Sequence, residues 1–144
     1  MKKLLLLFIT TSFVLSQNLI WSVDEKYENG NIKAISYHQK IWQKIELVKK
    51  ETYHENGQKK EDINYKDGEI EGRWTTYYEN GQKRVEKNYK DGELEGKYTT
   101  YYENGQKKIE ANYKDGKEDG KWTFYNEYGR IEKVEEYKDG ELVK

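Results

Sequence analysis

The chain has 144 residues, 26 Lys and Arg against 27 Asp and Glu, no Cys and no Pro. With hydrophobic residues at 34% and only 28 of them Leu, Ile, Val or Phe, a thick aliphatic core is excluded, as are a disulfide framework and a cysteine metal site. A net charge of −1 provides no electrostatic footprint for nucleic acid, while 14 Tyr and 4 Trp supply apolar area by another route.

In chain order, residues 1–16 read as a secretory leader. Lys2 and Lys3 precede an apolar run from Leu4 to Leu15, and Val14 and Ser16 are small enough to flank a cleavage site after Ser16. The run is 12 residues long, short of the roughly 20 that a spanning helix needs. No Cys follows it, so a lipoprotein is not expected. The chain from Gln17 on would carry 24 basic and 27 acidic residues, a net −3, and would be secreted, periplasmic or otherwise in the cell envelope.

Residues 17–52 read as a degenerate, capping repeat that starts at Tyr27-Glu-Asn-Gly and carries a three-residue insertion. Within it, Ile41, Ile45 and Val48 have helical spacing, but the register of the following repeats favours a strand or a short irregular segment over 36–52.

Residues 53–144 form an array with a period of 24. Tyr53-His-Glu-Asn-Gly-Gln, Tyr77-Tyr-Glu-Asn-Gly-Gln and Tyr101-Tyr-Glu-Asn-Gly-Gln are followed by a worn copy at Tyr125. Tyr-Lys-Asp-Gly recurs at 65, 89, 113 and 137, so the two motifs alternate every 12 residues. Asn-Gly and Asp-Gly between alternating segments are hairpin signals. The expected turns are therefore Asn56-Gly57, Asp67-Gly68, Asn80-Gly81, Asp91-Gly92, Asn104-Gly105 and Asp115-Gly116. The expected fold is all-β, an antiparallel meander of hairpin repeats forming one elongated, curved sheet.

Two-residue loops fix a register. Asn104-Gly105 sets Gly96 opposite Tyr113, Tyr98 opposite Ala111, Thr100 opposite Ile109 and Tyr102 opposite Lys107 on a mostly apolar face. Lys97–Asn112, Thr99–Glu110 and Tyr101–Lys108 then lie on a polar one. Asp91-Gly92 sets Tyr89 opposite Leu94, Lys87 opposite Gly96, Val85 opposite Tyr98 and Glu86 opposite Lys97. Both turns keep the same face apolar, which a one-residue slip would invert. Gly72, Gly96 and Gly120 recur inside strands. Either a ring such as that of Tyr113 covers Gly96, or the glycine marks a bulge.

The Tyr-Lys-Asp-Gly-Glu, Glu-Gly-Lys-Trp and Tyr-Tyr-Glu-Asn-Gly-Gln unit resembles the bacterial MORN repeat variant of YwqK-family antitoxin proteins, well over 53–144 and loosely over 27–52. That resemblance implies an antiparallel β-repeat array and a scaffold, lipid-binding or antitoxin-like role. The chain departs from the family pattern in its fewer glycines, its Lys and Glu content and its leader.

Catalytic chemistry has little to draw on. No Ser follows Ser36, and the only histidines, His38 and His54, lack companions at metal-ligand spacing. The acids sit at equivalent repeated positions, whereas a glycosidase needs two in different environments. No enzyme activity, cofactor or metal is expected. The candidate binding surface is aromatic: Trp74, Tyr98 and Trp122 in one row, Tyr78 and Tyr102 in another, and Tyr77, Tyr101 and Tyr125 on the polar face. The expected partner is a protein, with a glycan or lipid as the alternative. Nucleic acid and membrane contact are not expected, and a second copy of the chain could cover the apolar face.

Overall fold

A computed structural model describes residues 6–7 and 19–144. The leader expectation falls on 1–16; apart from Leu6–Leu7, it lies outside the described residues. Thirteen strands form one antiparallel sheet among the described residues. They are β1 (Leu6–Leu7), β2 (Leu19–Lys26), β3 (Ile32–Ile41), β4 (Lys44–Tyr53), β5 (Lys59–Lys66), β6 (Glu69–Tyr77), β7 (Lys83–Lys90), β8 (Glu93–Tyr101), β9 (Lys107–Lys114), β10 (Lys117–Glu118), β11 (Gly120–Tyr125), β12 (Ile131–Lys138) and β13 (Glu141–Leu142). Strands follow one another across the sheet in chain order, with β10 and β11 both pairing β9. The sheet is open, and substantial contacts run only between sheet neighbours.

The segment 36–52 is strand. β3 and β4 pair from Ala34–Thr52 to Ile41–Lys44, closed by a two-residue turn at Trp42 and Gln43. The apolar residues with helical spacing lie along a hairpin because both arms already have sheet neighbours to bond.

The two turn types differ. Asp67, Asp91, Asp115 and Asp139 have φ near +50°, each followed by a left-handed glycine, so these are the two-residue turns expected. The Asn-Gly turns are not two-residue loops. Gly105 N–H donates to Tyr102 O at 2.9 Å and Tyr102 N–H to Gln106 O at 2.9 Å, enclosing a three-residue loop in which only the glycine is left-handed. The asparagine stays right-handed because its side chain is used: Asn104 Oδ1 accepts from Gln106 N–H at 3.0 Å. Asn56 and Asn80 do the same.

This loop corrects the register beside it. Tyr101 pairs with Lys107, in place of the expected Tyr102–Lys107 and Tyr101–Lys108, and an irregularity follows at Thr100. Lys107 thereby moves to the polar face. The extra loop residue and the bulge compensate, so Gly96–Tyr113, Lys97–Asn112, Tyr98–Ala111, Thr99–Glu110 and Thr100–Ile109 all stand as expected.

The second correction lies beyond Asp91-Gly92. Tyr89 pairs with Leu94, but Lys87 then pairs with Tyr98, Glu86 with Thr99 and Val85 with Thr100. The expected Lys87–Gly96, Val85–Tyr98 and Glu86–Lys97 pairs are not formed. The register slips by two residues at Gly96, whose φ is +79°. A Cβ built there meets nothing within 4 Å, so no ring covers this glycine; it marks a bulge. A slip of two preserves the side-chain faces, which is why both turns still agree on which side is apolar.

On that side Tyr98, Tyr113, Trp122, Phe124 and Tyr137 meet edge to face, tilted or, for Tyr98 with Trp122, stacked, with centroids 5.2–6.4 Å apart. Lys87 belongs to the same surface: its Nζ lies 3.8 Å from the centre of the Trp74 ring. Ala111 and Ile63 are buried between the aromatic positions.

Candidate functional site

The polar face is ordered in three rows that cross the strands. The middle row runs Glu51, Asp62, Thr75, Glu86, Thr99, Glu110, Thr123, each paired with the next. On one side lie the pairs Lys49–Asn64, Arg73–Asn88 and Lys97–Asn112. On the other lie Tyr53–Lys59, Tyr77–Lys83 and Tyr101–Lys107. The alternation of side chains along each strand puts these types on one face, and the 24-residue period stacks like on like.

Each carboxylate of the middle row is a hydrogen-bond hub. Glu51 is buried and accepts from Lys59 at 2.6 Å, Tyr37 at 2.7 Å, Tyr53 at 2.8 Å and Lys49 at 3.0 Å. Burial works to raise its carboxyl, but these donors outweigh that effect and hold it down at about 2. Burial, together with the hydrogen bond to Glu51, pushes the Tyr53 hydroxyl up to about 12. Glu86 accepts from Lys83 at 3.0 Å, Tyr101 at 3.2 Å and Arg73 at 3.3 Å; burial opposes them, and its carboxyl is nonetheless lowered. Glu110 accepts from Lys107 at 2.7 Å and Tyr125 at 3.2 Å and is lowered chiefly by Lys107. Lys97 and Lys121 have no carboxylate within 4.0 Å among the described residues.

Two depressions open on this face. One of about 330 Å³ lies over Lys49, Asn64, Arg73 and Tyr77, and one of about 300 Å³ lies over Lys97, Asn112, Lys121 and Tyr125. Six lining positions of the second are those of the first displaced by 48 residues, two whole repeats, while Ile131 stands in the place of Lys83 and Glu86 has no counterpart. Both are lined by donors, carboxylates and one Tyr ring.

The aromatic residues singled out from the sequence separate into three places. Tyr77, Tyr101 and Tyr125 stand on the polar face beside the depressions. Trp74, Tyr98 and Trp122 lie on the opposite face in the aromatic rows, where the indole N–H groups of Trp74 and Trp122 are buried without an acceptor. Tyr78 and Tyr102 act between repeats: their hydroxyls donate to Tyr101 O and Tyr125 O, each at 2.8 Å. His54 occupies the equivalent place, its Nε2 3.1 Å from Tyr77 O.

The basic row and the carboxylate hubs are features of the polar face that reading single residues missed. Each Lys or Glu alone looks like a solvated charge. The signal was the period: Lys49, Arg73, Lys97 and Lys121 are 24 residues apart. Among the described residues no three His, Cys, Asp or Glu side chains are grouped so as to hold a metal ion.

The MORN repeat variant family matches residues 48–67, 70–91 and 94–115. Residues 48–115 carry MORN repeat variants. The matched units begin midway along β4 and end just after β9, so they supply the hub carboxylates Glu51, Glu86 and Glu110, and three of the four basic-row residues. The copy after Asp115-Gly116 keeps the strands but replaces Lys107 by Ile131 and Glu110 by Val134 at the equivalent positions. No curated protein matches the chain. The MORN array is thus a β-hairpin repeat protein with one polar face of iterated composition and one aromatic face.

Proposed function

We propose that this chain is an exported, non-catalytic MORN-repeat module that holds an envelope or protein partner on the polar face of its sheet. The observation that carries the reading is the recurrence of one side-chain constellation in two depressions two repeats apart. A catalytic site needs one special environment, whereas recurrence suits an extended contact made several times over. The carboxylates support the same reading. Those of Glu51, Glu86 and Glu110 are lowered by Lys and Tyr donors, the opposite of what a general acid requires. The basic start and apolar run of residues 2–15 support export.

Cell fractionation with mass spectrometry of the native N-terminus tests both halves. The protein is expected outside the cytosol, starting at Gln17, and retained with the envelope. Retention should be lost in the polar-face variant Lys97→Glu/Lys121→Glu and kept in Lys50→Glu, which lies on the opposite face beside Ile63. An intact Met1 in the cytosol overturns export. Equal retention of both variants overturns the polar face.

A further inference from the structure

Lys49, Arg73, Lys97 and Lys121 occupy the same position on β4, β6, β8 and β11, always two strands apart. Strands in a sheet are about 4.8 Å apart, so a rod laid across them meets one cation about every 10 Å. We propose that this row is a track for an extended acidic polysaccharide bearing one carboxylate per disaccharide. The proposal rests on the polar-face reading above and names its ligand.

Three observations select that chemistry. The first is the step: it matches the length of one disaccharide in an extended glycan, and the polymer must lie across the strands to meet every cation. The second is charge. The chain as a whole carries −1, yet within the three rows basic residues outnumber carboxylates. Lys97 and Lys121 have no carboxylate within 4.0 Å among the described residues, and although Glu136 stands across the strands from Lys121, their charges are open to a ligand. The third is the character of the depressions. Each holds two members of the basic row, Lys49 with Arg73 and Lys97 with Lys121, and a half-buried Tyr ring beside them. A Tyr ring offers an apolar plate for sugar C–H groups, and Asn and Thr side chains bond hydroxyls. The Asn amide nitrogens of Asn64 and Asn88 already donate to Arg73 O and Lys97 O, which leaves their Oδ1 atoms as acceptors for sugar hydroxyls.

The test is calorimetric titration of the native protein with hyaluronan oligosaccharides of increasing length, which carry one carboxylate per disaccharide. Cello-oligosaccharides serve as the neutral control and polyglutamate as the charge control. Corrected for the number of binding registers, affinity should rise with each disaccharide up to four, one for each basic residue, and then level off. The variant Lys97→Gln/Lys121→Gln should bind about tenfold more weakly with an unchanged melting curve, and raised salt should weaken the parent more than the variant. Affinity without length dependence, equal binding of polyglutamate, or an unchanged affinity in the double variant overturns the proposal. If hyaluronan does not bind but envelope retention still requires Lys97 and Lys121, the polysaccharide is wrong and the polar-face reading stands. If retention is also indifferent to them, both fall.

Discussion

Glu51 concentrates more interaction than any other side chain in the sheet, and its titration has a definite sign. The folded carboxyl is held at about 2, below the ordinary value of about 4.3, so it favours the fold above that ordinary value. That contribution is lost as pH falls from about 4 through 2. Glu51→Gln should destabilise the protein by about 2 kcal/mol in urea titrations at pH 7 and flatten the loss of stability over the same acid range. A parallel acid limb in both proteins would place the acid sensitivity elsewhere. Trp42 behaves oppositely. It takes the left-handed place that Asp holds in the other tight turns, with φ of +56°, and is 92% exposed. A left-handed non-glycine residue costs about 1–2 kcal/mol, and little packing offsets it here. Trp42→Gly should therefore raise the stability by about 1 kcal/mol, read from the shift of the urea midpoint at constant slope.

At the scale of the element, each hairpin is tied to the next by side chains that reach over a strand. Asn104 both closes its own turn and donates to Glu127 O at 2.9 Å. Tyr102 donates to Tyr125 O at 2.8 Å. On the opposite edge Glu71 and Glu95 accept from the Asp91 and Asp115 N–H groups, each at 2.9 Å. Tyr102→Phe should cost about 1 kcal/mol, and Asn104→Ala more, because two bonds are lost. Hydrogen exchange at the Gly129 amide, in the turn that Asn104 ties down, should quicken in Asn104→Ala. Much of this level was legible in advance. The 24-residue period set the meander order of the strands, and face parity survived because both irregularities preserve it. The details were hidden for physical reasons. Asn-Gly marks a turn, but does not say whether Asn takes the left-handed place or turns its side chain onto the loop. A two-residue slip at Gly96 leaves the pattern of faces unchanged. Lys83, Glu86 and Tyr101 are ordinary surface residues until the bulge beside Lys107, repeated in each unit, turns the lysines toward the carboxylates.

The whole molecule is quasi-one-dimensional. Strands touch their sheet neighbours, no second layer covers either face among the described residues, and the few buried residues are spread along the array. Stability should then be nearly a sum over repeats. Deleting residues 83–106, one full period, joins Gln82 to Lys107 and restores the same turn and register. The shortened protein should fold, with a urea slope reduced roughly in proportion to the surface removed. A complete loss of folding would mean that the repeats act as one indivisible unit.

The ties that run from each turn to the turn one repeat on also govern how the array gives way under tension. Pulled by its two ends, an antiparallel meander loads its hairpins one after another, and each holds until its own cross-repeat bonds break. Extension would then come as a saw-tooth of similar steps, each releasing 24 residues, or about 70 Å of slack after subtracting the folded width of two strands. A protein built this way is a graded spacer: it lengthens by one repeat at a time, and the hairpins still closed keep their grip.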